Sequence, residues 1–217
     1  MTSQHHIHPP FDPKWEDALR PMVGLQSVGV FGGTFDPVHT GHLLLAECAC
    51  DQLGLDAVLF VPAKKPPHKQ QGVSISPAKD RLAMLQLAVA DNPRFFVSDL
   101  ELQREGVSFT VTTLEQLHEA LPHSALTLLI GGDNARDFST WWQPERIAQR
   151  AQIAVWLRPG FQAPPELLPG IAYRTIAAPL MEISGTEIRR RVRAGNSVRY
   201  MSTDPVIHYI ITHGLYR

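Results

Sequence analysis

Two histidines placed three residues apart follow a glycine-rich turn and could bind an anion. His39 and His42 end the segment Gly-Gly-Thr-Phe-Asp-Pro-Val-His-Thr-Gly-His, which begins at Gly32 and Gly33. A spacing of three puts both rings on one side of the first turn of a helix, where imidazole N–H groups reach phosphate oxygens. Glycine amides and a helix N-terminus add partial positive charge. The segment therefore predicts a site for a phosphate-bearing ligand, and Gly41 leaves room for a base or ribose against the backbone.

A second candidate anion site begins at Ser184. Ser184 is a typical N-cap residue, so the following helix directs backbone amides at an anion, and Arg189 in the next turn reaches the same oxygens. The competing interpretation is that Ser184 only caps the helix and the arginine run forms a solvated basic face. We prefer that interpretation for Arg190 and Arg191.

Other phosphate-binding patterns fit less well. The sequence lacks Gly-x-x-x-x-Gly-Lys-Ser/Thr, and its early glycines do not have the Gly-x-Gly-x-x-Gly spacing of dinucleotide-binding loops. Asp133 follows an apolar run and Gly131-Gly132. Its carboxylate could hold ribose hydroxyls at a strand end or cap a helix, and both interpretations stay open.

Alternating apolar runs and helical patterns indicate the elements that position these residues. They predict an α/β fold, a Rossmann-like doubly wound parallel sheet with helices on both faces. Ligands of such sheets bind at the carboxyl ends of the strands. The predicted strands are 27–31, 57–61, 95–97, 125–130, 152–157 and 171–176, and the predicted helices are 41–53, one beginning at Ser76, 110–121, 143–149, 184–194 and 204–213.

Composition narrows the class of protein. The 217 residues, 44% of them hydrophobic, predict one domain over 26–217, behind a flexible extension over 1–25 that is rich in His and Pro. The net charge of −1 argues against a nucleic-acid or anionic-membrane surface. Cys48 and Cys50 match neither a disulfide framework nor a zinc site. With no apolar run near the ~20 residues of a membrane helix, we expect a cytoplasmic protein.

The motifs together resemble a known family. Segment 32–42 matches the first signature of the T/H-x-G-H nucleotidyltransferases at every fixed position, and segment 183–189, Ile-Ser-Gly-Thr-Glu-Ile-Arg, matches the second. Further matches are Pro-Pro-His-Lys ending at Lys69, Ser-Phe-Thr ending at Thr110, and Gly-Gly-Asp ending at Asp133. Over about residue 26 to the end, the chain is similar to the nicotinate-nucleotide adenylyltransferase family.

The resemblance implies adenylyl transfer from ATP to nicotinate mononucleotide, with Mg²⁺ accompanying ATP, no metal-ligating residues, and no nucleic-acid or membrane partner. It leaves the oligomeric state and the choice between acid and amide mononucleotides open. It implies catalytic roles for His39, His42 and Arg189. The implied ATP-binding residues are Gly32, Gly33, Thr34, Phe35, Gly41, Asp133, Ser184 and Thr186, and the implied acceptor-binding residues are His68, Lys69, Thr113, Trp141 and Trp142.

Two alternatives remain. One is another adenylyl- or cytidylyltransferase of the same fold, because the ATP-side residues are shared. The other is a non-catalytic nucleotide-binding regulator, which would be expected to have lost His39, His42, Ser184 or Arg189, and all four are present.

Overall fold

A computed structural model describes residues 13–64, 75–157 and 166–217. The strands are β1 (Ser27–Gly33), β2 (Ala57–Pro62), β3 (Phe95–Val97), β4 (Ala125–Gly131), β5 (Gln152–Trp156) and β6 (Arg174–Ile176). The helices are α1 (Pro13–Leu19), α2 (Thr40–Leu53), α3 (Ala78–Val89), α4 (Leu100–Gln103), α5 (Thr110–Ala120), α6 (Gly132–Arg136), α7 (Pro144–Arg150), α8 (Gly185–Arg193) and α9 (Asp204–Thr212), with 3-10 turns at Arg20–Met22 and Phe138–Thr140.

The six strands form one parallel sheet in the order β3-β2-β1-β4-β5-β6. The chain moves outward from β1 in one direction and then from β4 in the other, which confirms the doubly wound parallel sheet predicted from the sequence. The connections leaving β1 and β4 therefore diverge at their carboxyl ends and open a crevice there.

Each face of the sheet is covered by helices. Val28 and Val30 of β1 pack in one cluster with Leu114 of α5, whereas Phe31 packs in a second cluster with Met84 of α3. Alternate strand residues point to opposite faces, so one strand supplies both cores. The predicted helices on both faces are confirmed.

The ends of the predicted elements lie within two residues of the observed ones, except at the start of the last strand, and one predicted N-cap also differs. The last predicted strand shortens to Arg174–Ile176, because Ile171 turns back to form an isolated antiparallel bridge with Leu168. The predicted N-cap at Ser76 is displaced: α3 has Pro77 at its N-cap position, and the Ser76 N–H instead donates to Asp36 Oδ2 at 3.3 Å.

The N-terminal segment differs from the expected flexible extension over 1–25. Residues 13–22 form α1 and a 3-10 turn. Trp15, Leu19 and Met22 are buried in the cluster that contains Leu114 of α5, which we call the α5-side core; the cluster that contains Met84 of α3 is the α3-side core. Apolar residues at i, i+4 and i+7 make one helical face. This apolar pattern is short and follows a segment rich in His and Pro, so the sequence did not indicate a helix there. Residues 1–12 lie outside the described residues, and the domain boundary at 25/26 stays a prediction.

Candidate active site

His39 and His42 form a stacked pair at the start of α2. His39 is the N-cap residue, with extended backbone, and His42 lies in the first turn. Their ring centroids are 3.6 Å apart and the ring planes differ by 24°. The His39 backbone N–H donates to His42 Nδ1 at 3.2 Å. Because Nδ1 accepts, the neutral His42 ring carries its proton on Nε2 and presents it as a donor.

The electrostatics of the pair keep His42 neutral. Burial lowers the pKa of His42 well below 6.5, and the neighbouring His39 lowers it further. Two stacked imidazoles are too close for both to be charged cheaply. His42 is therefore a neutral hydrogen-bond donor at neutral pH, suited to an anionic oxygen.

Aromatic packing fixes the His42 ring from below. The ring of Phe35, which is 2% exposed, packs edge-to-face against the His42 ring, with the two ring centroids 5.1 Å apart. Gly33 makes this possible, since a Cβ there would come within 2.9 Å of Phe35 Cζ. Gly41 serves the pair in the same way, because its Cβ would lie 3.2 Å from His39 Nδ1. The room that the sequence assigned to a base or ribose at Gly41 is occupied by the His39 ring.

A buried arginine supports the same loop and was missed by sequence reasoning. Arg81 of α3 is only 2% exposed, and its guanidinium donates to Thr34 O at 2.7 Å and to Ser76 O at 3.1 Å. Burial lowers its pKa, although the nearby Asp36 opposes that shift. The available signal was its place on one helical face with Met84 and Leu85.

The second motif joins the first through Arg189. The Ser184 hydroxyl accepts from the Glu187 N–H at 3.1 Å, which confirms the predicted N-cap of α8. Arg189 Nη1 donates to Asp36 O at 2.6 Å, and Nη2 donates to Thr186 Oγ1 at 3.3 Å. Asp36 precedes His39 by three residues, so the two motifs predicted from sequence form one site.

The rest of the arginine run lies on the outer side of α8. Arg190 is exposed and pairs with Glu187, and Arg191 Nε donates to Ser197 O at 2.8 Å. These contacts agree with the solvated-face interpretation of both residues.

A cavity of about 300 Å³ opens beside the first loop, in the crevice between β1 and β4. It collects the predicted residues Gly32, Gly33, Thr34, Thr113, Trp141 and Trp142. Trp142 is 58% exposed and packs on Phe109 with centroids 5.7 Å apart, whereas Trp141 packs on the buried Phe138. Both indoles line the cavity, and Trp141 is the one attached to the core.

Thr113 has its polar groups engaged within the protein. It is 3% exposed, its hydroxyl donates to Glu101 Oε1 at 2.5 Å, and its N–H donates to Phe109 O at 3.3 Å. The preceding amides, in the first turn of α5, have no carbonyl four residues earlier within the helix. These amides are therefore better placed than Thr113 itself to donate hydrogen bonds to an oxygen of a ligand in the cavity.

Glu101 is a second polar residue that the sequence did not reveal. It lines the cavity, is 6% exposed, and burial raises its pKa despite hydrogen bonds from Thr113 and Ser108. Arg104 Nη2 also donates to Thr113 Oγ1, at 3.3 Å. A carboxyl group on a helix of four residues gives no periodic signal, so only its contacts identify it.

The remaining predicted residues lie apart from these contacts or outside the described chain. Asp133 is exposed in the first turn of α6, whose N-cap position belongs to Gly131, so its N-cap interpretation is wrong. His68 and Lys69 lie outside the described residues. In the described ranges, no group of three or more His, Cys, Asp or Glu could hold a metal ion. No helix there has the length and apolar character to cross a membrane.

The fold and the joined motifs define a nucleotidyltransferase, and the cytidylyltransferase-like family model matches residues 30–191. A probable nicotinate-nucleotide adenylyltransferase from Salinibacter ruber is 44% identical over 194 residues, covering 88% of this chain and 98% of that protein. One from Thermus thermophilus is 46% identical over 190 residues, covering 88% and 99%. The chain belongs to the nicotinate-nucleotide adenylyltransferase family.

A solved structure supports the fold. Plasmodium falciparum nicotinic acid mononucleotide adenylyltransferase, solved in complex with NaAD, superposes with a TM-score of 0.74 at 20% identity, over 88% of this chain and 97% of that one. At this identity the likeness shows a shared fold.

Proposed function

We propose that this protein transfers the adenylyl group of ATP to nicotinate mononucleotide, giving nicotinate adenine dinucleotide and pyrophosphate. The observation that carries the proposal is the stacked His39–His42 pair, joined to Arg189 through the Asp36 carbonyl. This arrangement brings neutral and cationic donors together where the N-termini of α2 and α8 meet. Family membership supplies the substrate pair.

The reaction needs no protein nucleophile. An oxygen of the mononucleotide phosphate attacks the α-phosphorus of ATP in line, the bond from that phosphorus to the bridging α–β oxygen breaks, and pyrophosphate leaves with the bond electrons. Catalysis then rests on positioning and on stabilising charge on the phosphoryl oxygens. His42 Nε2–H and His39 would act on the α-phosphoryl group, supported by the amides at the start of α2.

We assign the β- and γ-phosphates to Arg189 and the start of α8, where Ser184 and Thr186 lie. Arg189 has five N–H donors, of which two donate to the described residues, to Asp36 O and Thr186 Oγ1. The others remain to bind phosphate while the guanidinium stays held by Asp36. Gly32 through Phe35 and Gly41 shape the nucleotide loop, and Asp133 is proposed for the ribose hydroxyls.

The cavity is proposed to hold the acceptor. An indole stacks on an aromatic ring, and Trp142 offers the more exposed face of the two lining tryptophans. The first-turn amides of α5 are proposed to meet the ring carboxylate, with Thr113 fixing that turn through Glu101. We keep His68 and Lys69 as proposed ligands of the mononucleotide phosphate.

Mg²⁺ is proposed to enter with ATP as part of the substrate. The described donor set, two imidazoles, backbone amides and an arginine, suits anionic oxygens, and no described carboxylate cluster competes for a cation. The ion would be bound by the polyphosphate itself and neutralise part of its charge. A cytoplasmic location stays a prediction.

The decisive experiment incubates purified protein with ATP and Mg²⁺ and with either nicotinate or nicotinamide mononucleotide, and measures pyrophosphate release. We expect release with the acid mononucleotide. No release with either acceptor contradicts the proposal and favours a binding regulator or a different acceptor. Preference for the amide contradicts only the choice of acceptor.

A further inference from the structure

We propose that Tyr216, the penultimate residue of the chain, is a positioning residue for adenylyl transfer that acts on Arg189 through Asp36. The inference rests on the proposed function and extends it to a residue outside both nucleotide motifs. It follows from a chain of hydrogen bonds that connects the C-terminal segment to the guanidinium.

Asp36 is the centre of this chain of contacts. It is 5% exposed, and each carboxylate oxygen accepts a hydrogen bond: Oδ1 from the Tyr216 hydroxyl at 2.7 Å and Oδ2 from the Ser76 N–H at 3.3 Å. Two donors on opposite oxygens fix the rotation of the carboxylate and so the orientation of the residue. Its backbone carbonyl then accepts from Arg189 Nη1 at 2.6 Å.

The Asp36 carbonyl is tightly enclosed where it meets Arg189. A Cβ on Gly185 would lie 2.8 Å from that oxygen and 3.3 Å from Arg189 Nη1. Small movements of Asp36 therefore change either the Arg189 hydrogen bond or the packing of the start of α8. A buried carboxylate that loses one donor moves toward the remaining ones, because an unpaired buried charge is costly.

Tyr216 is itself held in a defined position. The chain after α9 turns back on itself: Leu215 N–H donates to Ile210 O at 3.0 Å, and Gly214 and Tyr216 have φ values of 61° and 66°. A left-handed backbone is unfavourable for a tyrosine, so it persists only where surrounding contacts compensate. The ring packs partly buried against the α3-side core, and its hydroxyl reaches Asp36.

The charges around the pair favour the same arrangement. Burial, together with Asp36, raises the pKa of Tyr216 above its ordinary value, so the hydroxyl stays a donor over the working pH range. Arg81, bound to Thr34 O on the other side of the loop, offsets the negative charge of Asp36. The contact is therefore a hydrogen bond to a carboxylate, which is stronger than one between neutral groups.

The test compares Tyr216→Phe with Tyr209→Phe. Both variants remove a hydroxyl that donates to a buried carboxylate, since Tyr209 of α9 donates to Asp80 Oδ1 at 2.9 Å, but only Tyr216 is linked to Arg189. We expect Tyr216→Phe to lower kcat roughly tenfold, the size of a lost hydrogen bond to a charged group. KM for the mononucleotide should stay within about twofold, since the cavity is not touched. Tyr209→Phe should leave kcat unchanged.

A double variant distinguishes an effect on the position of Arg189 from a general loss of stability. In an Arg189→Lys background, Tyr216→Phe should reduce kcat by much less than in the wild-type background, because the shared partner is already lost. Thermal unfolding of Tyr216→Phe and Tyr209→Phe should shift alike. Full additivity, equal kcat loss in both tyrosine variants, or wild-type kcat in Tyr216→Phe overturns the positioning role. Wild-type protein that releases no pyrophosphate overturns the proposed function, and the inference with it.

Discussion

At the scale of single residues, the site combines donors of different charge. His42 is a neutral donor because burial lowers its pKa, while Arg189 contributes a permanent positive charge. A neutral imidazole loses less on desolvation than a cation does, so it can lie against the aromatic ring of Phe35. The proposed polyphosphate site thus relies on local donors in a chain whose net charge is −1.

The first prediction concerns these donors. His42→Ala should lower kcat about 10²-fold to 10³-fold, the usual cost of losing one preorganised donor to a transition-state oxyanion. Steady-state pyrophosphate release checks this, with circular dichroism to verify the fold. His123→Ala is the control, since His123 is exposed in the turn before β4, at the amino-terminal end of the strand and away from the carboxyl ends where the site lies. Comparable loss in both variants would contradict the role of His42.

The second prediction follows from the buried carboxyl group of Glu101, whose pKa burial raises above 4.5. The folded state then binds this proton more tightly than the unfolded state, so the stabilisation is complete below the unfolded pKa and is lost as pH rises through the folded one. Glu101→Gln keeps an acceptor for Thr113 but cannot ionise. We expect its stability relative to wild type to increase above pH 4.5, measured by urea unfolding across pH.

The exposed Glu119 of α5 provides the control for that experiment, and Glu119→Gln should follow the wild-type pH profile. Parallel profiles for wild type and Glu101→Gln would show that the Glu101 carboxyl titrates alike in both states.

Residue types and spacing predicted the histidine pair, the Ser184 cap and Arg189, because each belongs to a local pattern within one or two turns. The sequence assigned no role to Arg81, Glu101 or Tyr216. Tyr216 bonds a residue 180 positions away, and Arg81 bonds one 47 positions away. Contacts of that kind depend on how the sheet and helices assemble, which a single sequence does not reveal.

At the scale of elements, the site is built where helices begin. The starts of α2 and α8 meet through Asp36, and the start of α5 borders the cavity. The chemistry of the site is therefore that of helix N-termini.

Apolar runs in the sequence predicted all six strands of the sheet, including β3 with its bounds unchanged. Helices α4 and α6 were not predicted, because four or five residues are too few to show a helical period. Glu101 and Asp133 lie on those two helices.

The third prediction tests the contact between α8 and the histidine loop. Gly185→Ala adds a Cβ at 2.8 Å from the Asp36 carbonyl oxygen, so α8 or the loop must shift. Helix propensity alone would favour alanine by up to about 1 kcal/mol. We expect kcat to fall roughly tenfold, the equivalent of one displaced hydrogen bond of Arg189, as measured by pyrophosphate release. As a control, Arg193→Ala, at the exposed end of the same helix, should retain the wild-type kcat. A wild-type kcat in Gly185→Ala would contradict the importance of the contact between α8 and the histidine loop.

At the scale of the whole molecule, one sheet separates two cores, and the N-terminal segment completes one of them. Trp15, Leu19 and Met22 bury their side chains against the same cluster as Leu114 and Leu117 of α5. Composition placed this segment outside the domain because His and Pro dominate its surroundings. Burial is a property of the assembled fold, and seven helical residues were too few to outweigh that composition.

The last prediction asks whether α1 unfolds together with the rest of the molecule. Trp15 is 4% exposed, and replacing a buried tryptophan by alanine costs about 3–5 kcal/mol. Because Trp15 belongs to the same core cluster as Leu114 and Leu117 of α5, we expect a loss within that range. Denaturant unfolding should show a single transition at a lower midpoint, by circular dichroism and fluorescence alike. Val23→Ala, at a side chain 71% exposed, should leave the midpoint unchanged. If Trp15→Ala also leaves it unchanged, residues 13–22 are an appendage, as the composition suggested.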